Sequence, residues 1–87
     1  MLSRTQIRQF LAVVDSGSFT RAANALNIAQ PSLSGGIAEL ERQLGTRLFV
    51  RERRRISLTE AGNLLLPLAR SIEREFDQVA ARIGNRP

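Results

Sequence analysis

The sequence predicts a mainly α-helical domain in which a short β-hairpin separates three short helices from one long helix. Three observations lead there. Before residue 46, apolar residues recur at helical spacing in three segments, closed in turn by Gly17, Asn27 and Gly45. Two β-prone runs, at 48–51 and 56–58, flank a strongly basic cluster. After Thr59 a single apolar stripe continues to Ile83. The 87 residues suffice for one domain with a projecting element, and 43% of them are hydrophobic, enough for a small core. With no cysteine and no histidine, disulfides and the usual zinc sites are excluded, so packing alone must hold that core.

In the first segment Ile7, Phe10, Leu11 and Val14 fall at i, i+3, i+4 and i+7, an amphipathic helix over about residues 4–15. Gly17 stops it and Ser18 is a good cap for the next. Phe19, Ala22, Ala23 and Leu26 line one face of a second helix, which Asn27 ends in a left-handed conformation, with Ile28 packing inward. The third helix begins near Gln30 with Pro31 in its first turn, where the missing N–H is no loss. Leu33, Ile37, Leu40 and Leu44 form its apolar stripe. Gly35 lies opposite that stripe, on the outward face, and Gly36 lies on the flank nearer the domain body. Two glycines in place of alanines should cost this helix about 2 kcal/mol in all. Two short helices joined by about three residues form a helix-turn-helix pattern, although small helical bundles share it.

The runs Leu48-Phe49-Val50-Arg51 and Ile56-Ser57-Leu58 read as a hairpin with Glu52-Arg53-Arg54-Arg55 at its tip. A solvated turn would also accommodate such residues. However, four arginines in five positions repel one another, and a hairpin behind a helix-turn-helix is a wing. Arginine at a wing tip suits phosphates or the narrow, negative minor groove. The net charge of +5, from 13 arginines against 8 acidic residues, favours a polyanionic partner. Thr59 caps the last helix, with Glu60 near its positive end. Leu65, Ala69, Ile72, Phe76, Val79 and Ile83 then step by 4, 3, 4, 3 and 4, a heptad seam. Residues 60–83 would span roughly 36 Å, longer than the domain needs. Part of the seam should bury against the first helix and the remainder against a partner. Pro67 should leave the Asn63 carbonyl unpaired and bend the axis.

These residues resemble the N-terminal DNA-binding domain of LysR-type transcriptional regulators. Phe19 with Ala22-Ala23, Gln30-Pro31-Ser32, Leu40-Glu41, Leu44-Gly45, Leu48-Phe49 and Leu58-Thr59-Glu60-Ala61-Gly62 occur in family order. The resemblance runs from residue 7 to residue 62, with linker-helix character continuing to about residue 84. It implies a winged helix-turn-helix, a three-helix core plus a two-stranded β-hairpin wing, over residues 1–58. A linker or dimerisation helix follows over 59–84, and residues 85–87 are a frayed terminus or truncated linker. It also implies a homodimer whose long helices pair antiparallel, bound to double-stranded promoter DNA. Full-length family members add an effector domain that binds a small molecule and assembles tetramers; that domain is absent from this sequence, so the expectation is a DNA-binding fragment without a cofactor.

Carried onto this chain, the expected base or groove contacts are Gln30, Pro31, Ser34 and Gly35, with Arg53 and Arg54 from the wing. Gln30 can offer adenine a bidentate pair and Pro31 can touch a thymine methyl. Expected phosphate contacts are Thr20, Arg21, Ser32, Arg42 and Arg51, which fix register without reading sequence. Leu65, Ala69, Ile72, Phe76, Val79 and Ile83 are the expected dimer seam. Two departures stand out. Ala29 replaces a frequent serine, removing a side-chain cap worth about 1 kcal/mol. Gly35 and Gly36 stand where the family commonly has a large basic or polar pair, so a known base preference does not transfer.

No catalytic or metal-binding set is evident, since carboxylates are scattered over helix surfaces. The rival to DNA binding is a protein-interaction module that dimerises through the long helix and carries a non-specific basic hairpin. The first twenty residues contain Arg4, Arg8 and Asp15 and no long apolar core, unlike a signal peptide. No stretch approaches the 18 apolar residues or so of a membrane span. The expected location is the cytoplasm.

Overall fold

A computed structural model describes residues 2–84; the expected frayed terminus at 85–87 lies outside them. The element order is α1 (Arg4–Ser16), α2 (Phe19–Leu26), α3 (Gln30–Leu44), β1 (Phe49–Glu52), β2 (Arg55–Leu58) and α4 (Glu60–Ile83). This is a winged helix-turn-helix followed by one long helix. Ser3 opens α1 with a reciprocal capping box: its hydroxyl accepts from the Gln6 N–H, and the Gln6 side chain accepts from the Ser3 N–H. Ser18 and Thr59 cap α2 and α4 through their hydroxyls, whereas Ala29 at the start of α3 offers no side-chain cap. Gly17, Asn27 and Gly45 all close their helices in the left-handed region, as their residue types favour.

Helix α1 is the hub, touching α2, α3 and α4. Being covered on several sides widens its buried face, so Val13 is fully buried while Val14, expected in the core, is only half-buried. Phe10, Leu33, Leu40 and Leu48 are also fully enclosed. Phe49 ties the wing to this core, its ring 5.3 Å from Phe10 and 5.8 Å, edge-on, from Phe19. Leu44 does not join the α3 stripe; it is exposed in the last turn before Gly45, beyond the covering helices.

The wing is tighter than its sequence implies. Antiparallel pairing runs from Phe49↔Leu58 to Glu52↔Arg55, leaving only Arg53 and Arg54 to turn the chain. Arg53 adopts φ 56°, a left-handed conformation that glycine more often supplies in such turns. Beneath the wing, Glu41 accepts from the backbone N–H groups of Leu48 and Phe49 and pairs with Arg47. The Thr59 hydroxyl donates to the Arg47 carbonyl at 2.6 Å. Gly62 lets α4 start hard against this segment, because a Cβ there would collide with the Leu48 carbonyl oxygen.

Helix α4 runs without interruption through Pro67. Its first half packs on α1 through Ala69 and through ion pairs of Arg70 with Asp15 and of Glu73 with Arg4 and Arg8. The expected seam is divided, with part of it buried against α1, and only its assignment of Ala69 to a dimer contact needs correcting. Ala69 is fully buried in the subunit's own core and is not free for a partner, whereas Leu65 is half-buried against that core. Ile72, Phe76, Val79 and Ile83 are exposed, and so are Leu64 and Leu68, which lie outside the predicted seam. At about 100° per residue these six share one side of α4, an arc of roughly 120° from Leu64 to Phe76, with Ala69 next to its Phe76 edge. Leu64-Leu65-Leu66 and Leu68 make this part of the helix apolar almost all round, so spacing alone could not choose between the inner and outer faces.

Candidate nucleic-acid interface

The turn at 27–29 sets α3 across α2, bringing the first residues of each helix together. The Thr20 hydroxyl donates to the Gln30 side-chain oxygen at 3.4 Å. Gln30 thereby keeps its amide N–H groups for an outside partner. Pro31, Ser32 and Gly35 are exposed beside it, and Ser34 is half-buried. Thr20 also borders, with Ser18, an open depression whose far wall is Arg51, Arg53 and Arg54. The beginning of α3, the beginning of α2 and the wing thus form one continuous surface. Of the residues expected from the sequence, Thr20, Gln30, Arg51, Arg53 and Arg54 border this surface, Arg21 is exposed in the first turn of α2, and Arg42 lies in the last turn of α3.

Three of the expected phosphate contacts already have partners within the chain. Thr20 is bonded to Gln30. The Arg51 guanidinium stacks 3.6 Å over the Phe19 ring, leaving its edge for hydrogen bonds while its plane is held. Arg42 donates through Nε to Glu39 Oε1 at 2.8 Å and through Nη2 to Oε2 of the same carboxylate. Gln43 also donates to Glu39. The Arg42 hydrogen bond, opposed by partial desolvation, holds the Glu39 carboxyl below the usual carboxylate range. The same bond raises the pKa of Arg42, so both groups stay charged. Glu39 was not among the residues expected from the sequence, although an acidic residue three positions before an arginine on the Gly35 face was a visible signal.

The two glycines of α3 occupy different surroundings. At Gly35 nothing lies within 4 Å of where a Cβ would sit. At Gly36 a Cβ would run into the side-chain amide of Gln9 from α1, whose Oε1 is buried without a partner. Gly36 therefore belongs to helix packing and Gly35 to the outer surface. Among the described residues no cluster of three or more metal-ligating side chains occurs, and no helix is long and apolar enough to cross a membrane.

A family model described as bacterial regulatory helix-turn-helix protein, lysR family, matches residues 5–63. The chain belongs to the LysR family. Among its relatives, the HTH-type transcriptional regulator XapR of Escherichia coli is 48% identical over 77 residues, covering 88% of this chain and 26% of that protein. The nitrogen assimilation regulatory protein nac of Klebsiella aerogenes is 40% identical over 80 residues, covering 92% and 26%. This LysR-family chain thus spans about a quarter of the length of the curated relatives it matches. A solved complex of the BenM DNA-binding domain with catB site 1 DNA superposes with a TM-score of 0.91 at 36% identity, covering 99% of this chain and 100% of that one. The CbnR DNA-binding domain–DNA complex gives 0.87 at 33% identity, covering 93% of each.

Proposed function

We propose that this LysR-family domain binds double-stranded promoter DNA sequence-specifically, as a homodimer, within a cytoplasmic bacterial transcriptional regulator. The observation that carries the proposal is the continuous surface joining Gln30 and Thr20 to Arg51, Arg53 and Arg54. A helix end rich in small polar groups suits a major groove, and an adjoining arginine-tipped wing suits phosphates or a minor groove. Gln30, Pro31, Ser34 and Gly35 would face base edges; Arg21, Ser32 and the wing arginines would fix the register. The DNA complexes of the BenM and CbnR domains, similar in fold and sequence, support the same docking. The exposed α4 stripe from Leu64 to Ile83 would pair with a second copy and set the spacing of two half-sites. A small-molecule effector would bind outside these 87 residues.

The test is selection of preferred sites from a random duplex pool, followed by titration of a selected and a scrambled fluorescent duplex at two salt concentrations. The expected result is tighter binding to the selected duplex and weaker binding to both at the higher salt. Equal affinities would remove sequence specificity. Failure to bind either duplex at low salt would sink DNA binding and leave the protein-interaction reading.

A further inference from the structure

The outward face of α3 carries more than the residues at its beginning. At about 100° per residue, Arg42 and Glu39 lie within roughly 40° of Gly35 around the axis, opposite Leu33, Ile37 and Leu40. They follow Gly35 along the same face. With no side chain at Gly35, the first charged groups met on that face after Ser32 and Pro31 are the carboxylate of Glu39 and the guanidinium tied to it. The pair is exposed, with 71% of the Arg42 side chain and 44% of the Glu39 side chain accessible, so its weight in stability is small. Its effect on charge is larger. Arg42 is bonded through two nitrogens to an anion that also accepts from Gln43, and the bidentate geometry holds the guanidinium plane.

We propose that Glu39 is a specificity-determining residue of this domain: it holds Arg42 and neutralises the outward face of α3, suppressing sequence-independent attraction to DNA phosphates. An unpaired arginine on this face would neutralise a phosphate of any sequence. Held by Glu39, Arg42 gives the face no net charge, and non-specific attraction is left to Arg21 and the wing. Discrimination then comes from the uncharged groups at the start of α3, Gln30, Pro31 and Ser34, which contribute only where the bases fit. The inference rests on the DNA-binding reading above. It concerns how far specific binding exceeds non-specific binding, not whether binding occurs.

The experiment is a two-by-two comparison of the wild-type chain, Glu39→Gln, Arg42→Ala and the double variant, each titrated against a scrambled duplex over a salt series. Glutamine keeps the size of the side chain and removes the charge, and retained helicity verifies folding. Glu39→Gln should bind the scrambled duplex roughly three- to tenfold more tightly at about 0.1 M salt, with a log–log salt slope steeper by about 0.9, the release expected when one more phosphate is neutralised. Its preference for a selected duplex should fall correspondingly. In the Arg42→Ala background the same change should alter affinity by less than about twofold. An unchanged affinity for Glu39→Gln with Arg42 present would overturn the inference while leaving DNA binding intact. An equal gain in both backgrounds would overturn it too, since the carboxylate would then act by repulsion without holding Arg42. A wild-type chain that binds no duplex would instead sink the underlying DNA-binding reading.

Discussion

At Gly35 a Cβ would enter open space, whereas at Gly36 it would meet the Gln9 amide. Both positions are helical, so alanine would relieve the same intrinsic penalty of about 1 kcal/mol at each. Gly35→Ala should therefore stabilise the domain by about that amount, read as a higher urea midpoint with an unchanged slope. Gly36→Ala should gain clearly less, because Gln9 must leave its place between α1 and α3. Removing that obstacle with Gln9→Ala should restore the gain in the double variant. Equal stabilisation by the two single alanine variants would show that Gln9 does not oppose residue 36. The different directions of these glycines, outward for Gly35 and toward the flank for Gly36, were legible from helical angle alone. Gln9 as the neighbour was not, because that contact depends on how α1 crosses α3.

The helices and their ends were the most legible elements, since caps such as Ser18 and Thr59 and stops such as Gly17 and Asn27 act over a few residues. The wing was less so. Its strands were visible, but pairing of Glu52 with Arg55 narrows the tip to Arg53 and Arg54, and only the ladder register reveals that. The tight turn projects two arginines together, with Arg53 in a backbone conformation unfavourable to a side chain by roughly 1 kcal/mol. Arg51, two residues before Arg53, is stacked on Phe19 and belongs to the base of the wing. If the tip tracks phosphates, replacing Arg53 and Arg54 with alanine should weaken binding to selected and scrambled duplexes alike. The salt slope should fall by about 0.9 for each phosphate that the tip no longer neutralises. A sharp change in site preference with an unchanged slope would instead make the tip a reader of bases or groove shape.

At the scale of the molecule, α4 has to serve two surfaces from one apolar helix. Ala69 and the ion pairs of Arg70 and Glu73 commit one side to α1, and the cation of Arg4 lies 4.4 Å over the Phe76 ring at the edge of that contact. This anchoring fixes the direction in which the rest of the helix leaves the domain, within a molecule 51 Å long and 20–25 Å across. Half-site spacing would follow from that direction and from the pairing of two α4 stripes. Leu68 and Val79 are good probes, being 61% and 59% exposed, so a charge at either should leave the subunit fold intact. The wild-type chain should sediment at twice its 9.7 kDa mass. Leu68→Glu and Val79→Glu should each shift it toward monomer with helicity retained, because a carboxylate would be buried unpaired at the interface. Affinity for a two-half-site duplex should then fall by roughly a hundredfold, since the second half-site loses its effective concentration, while a single half-site should be bound as before. Folded variants that stayed dimeric would place the pairing surface away from this stripe. Monomers that kept full affinity for the two-half-site duplex would show that the domains act independently on DNA.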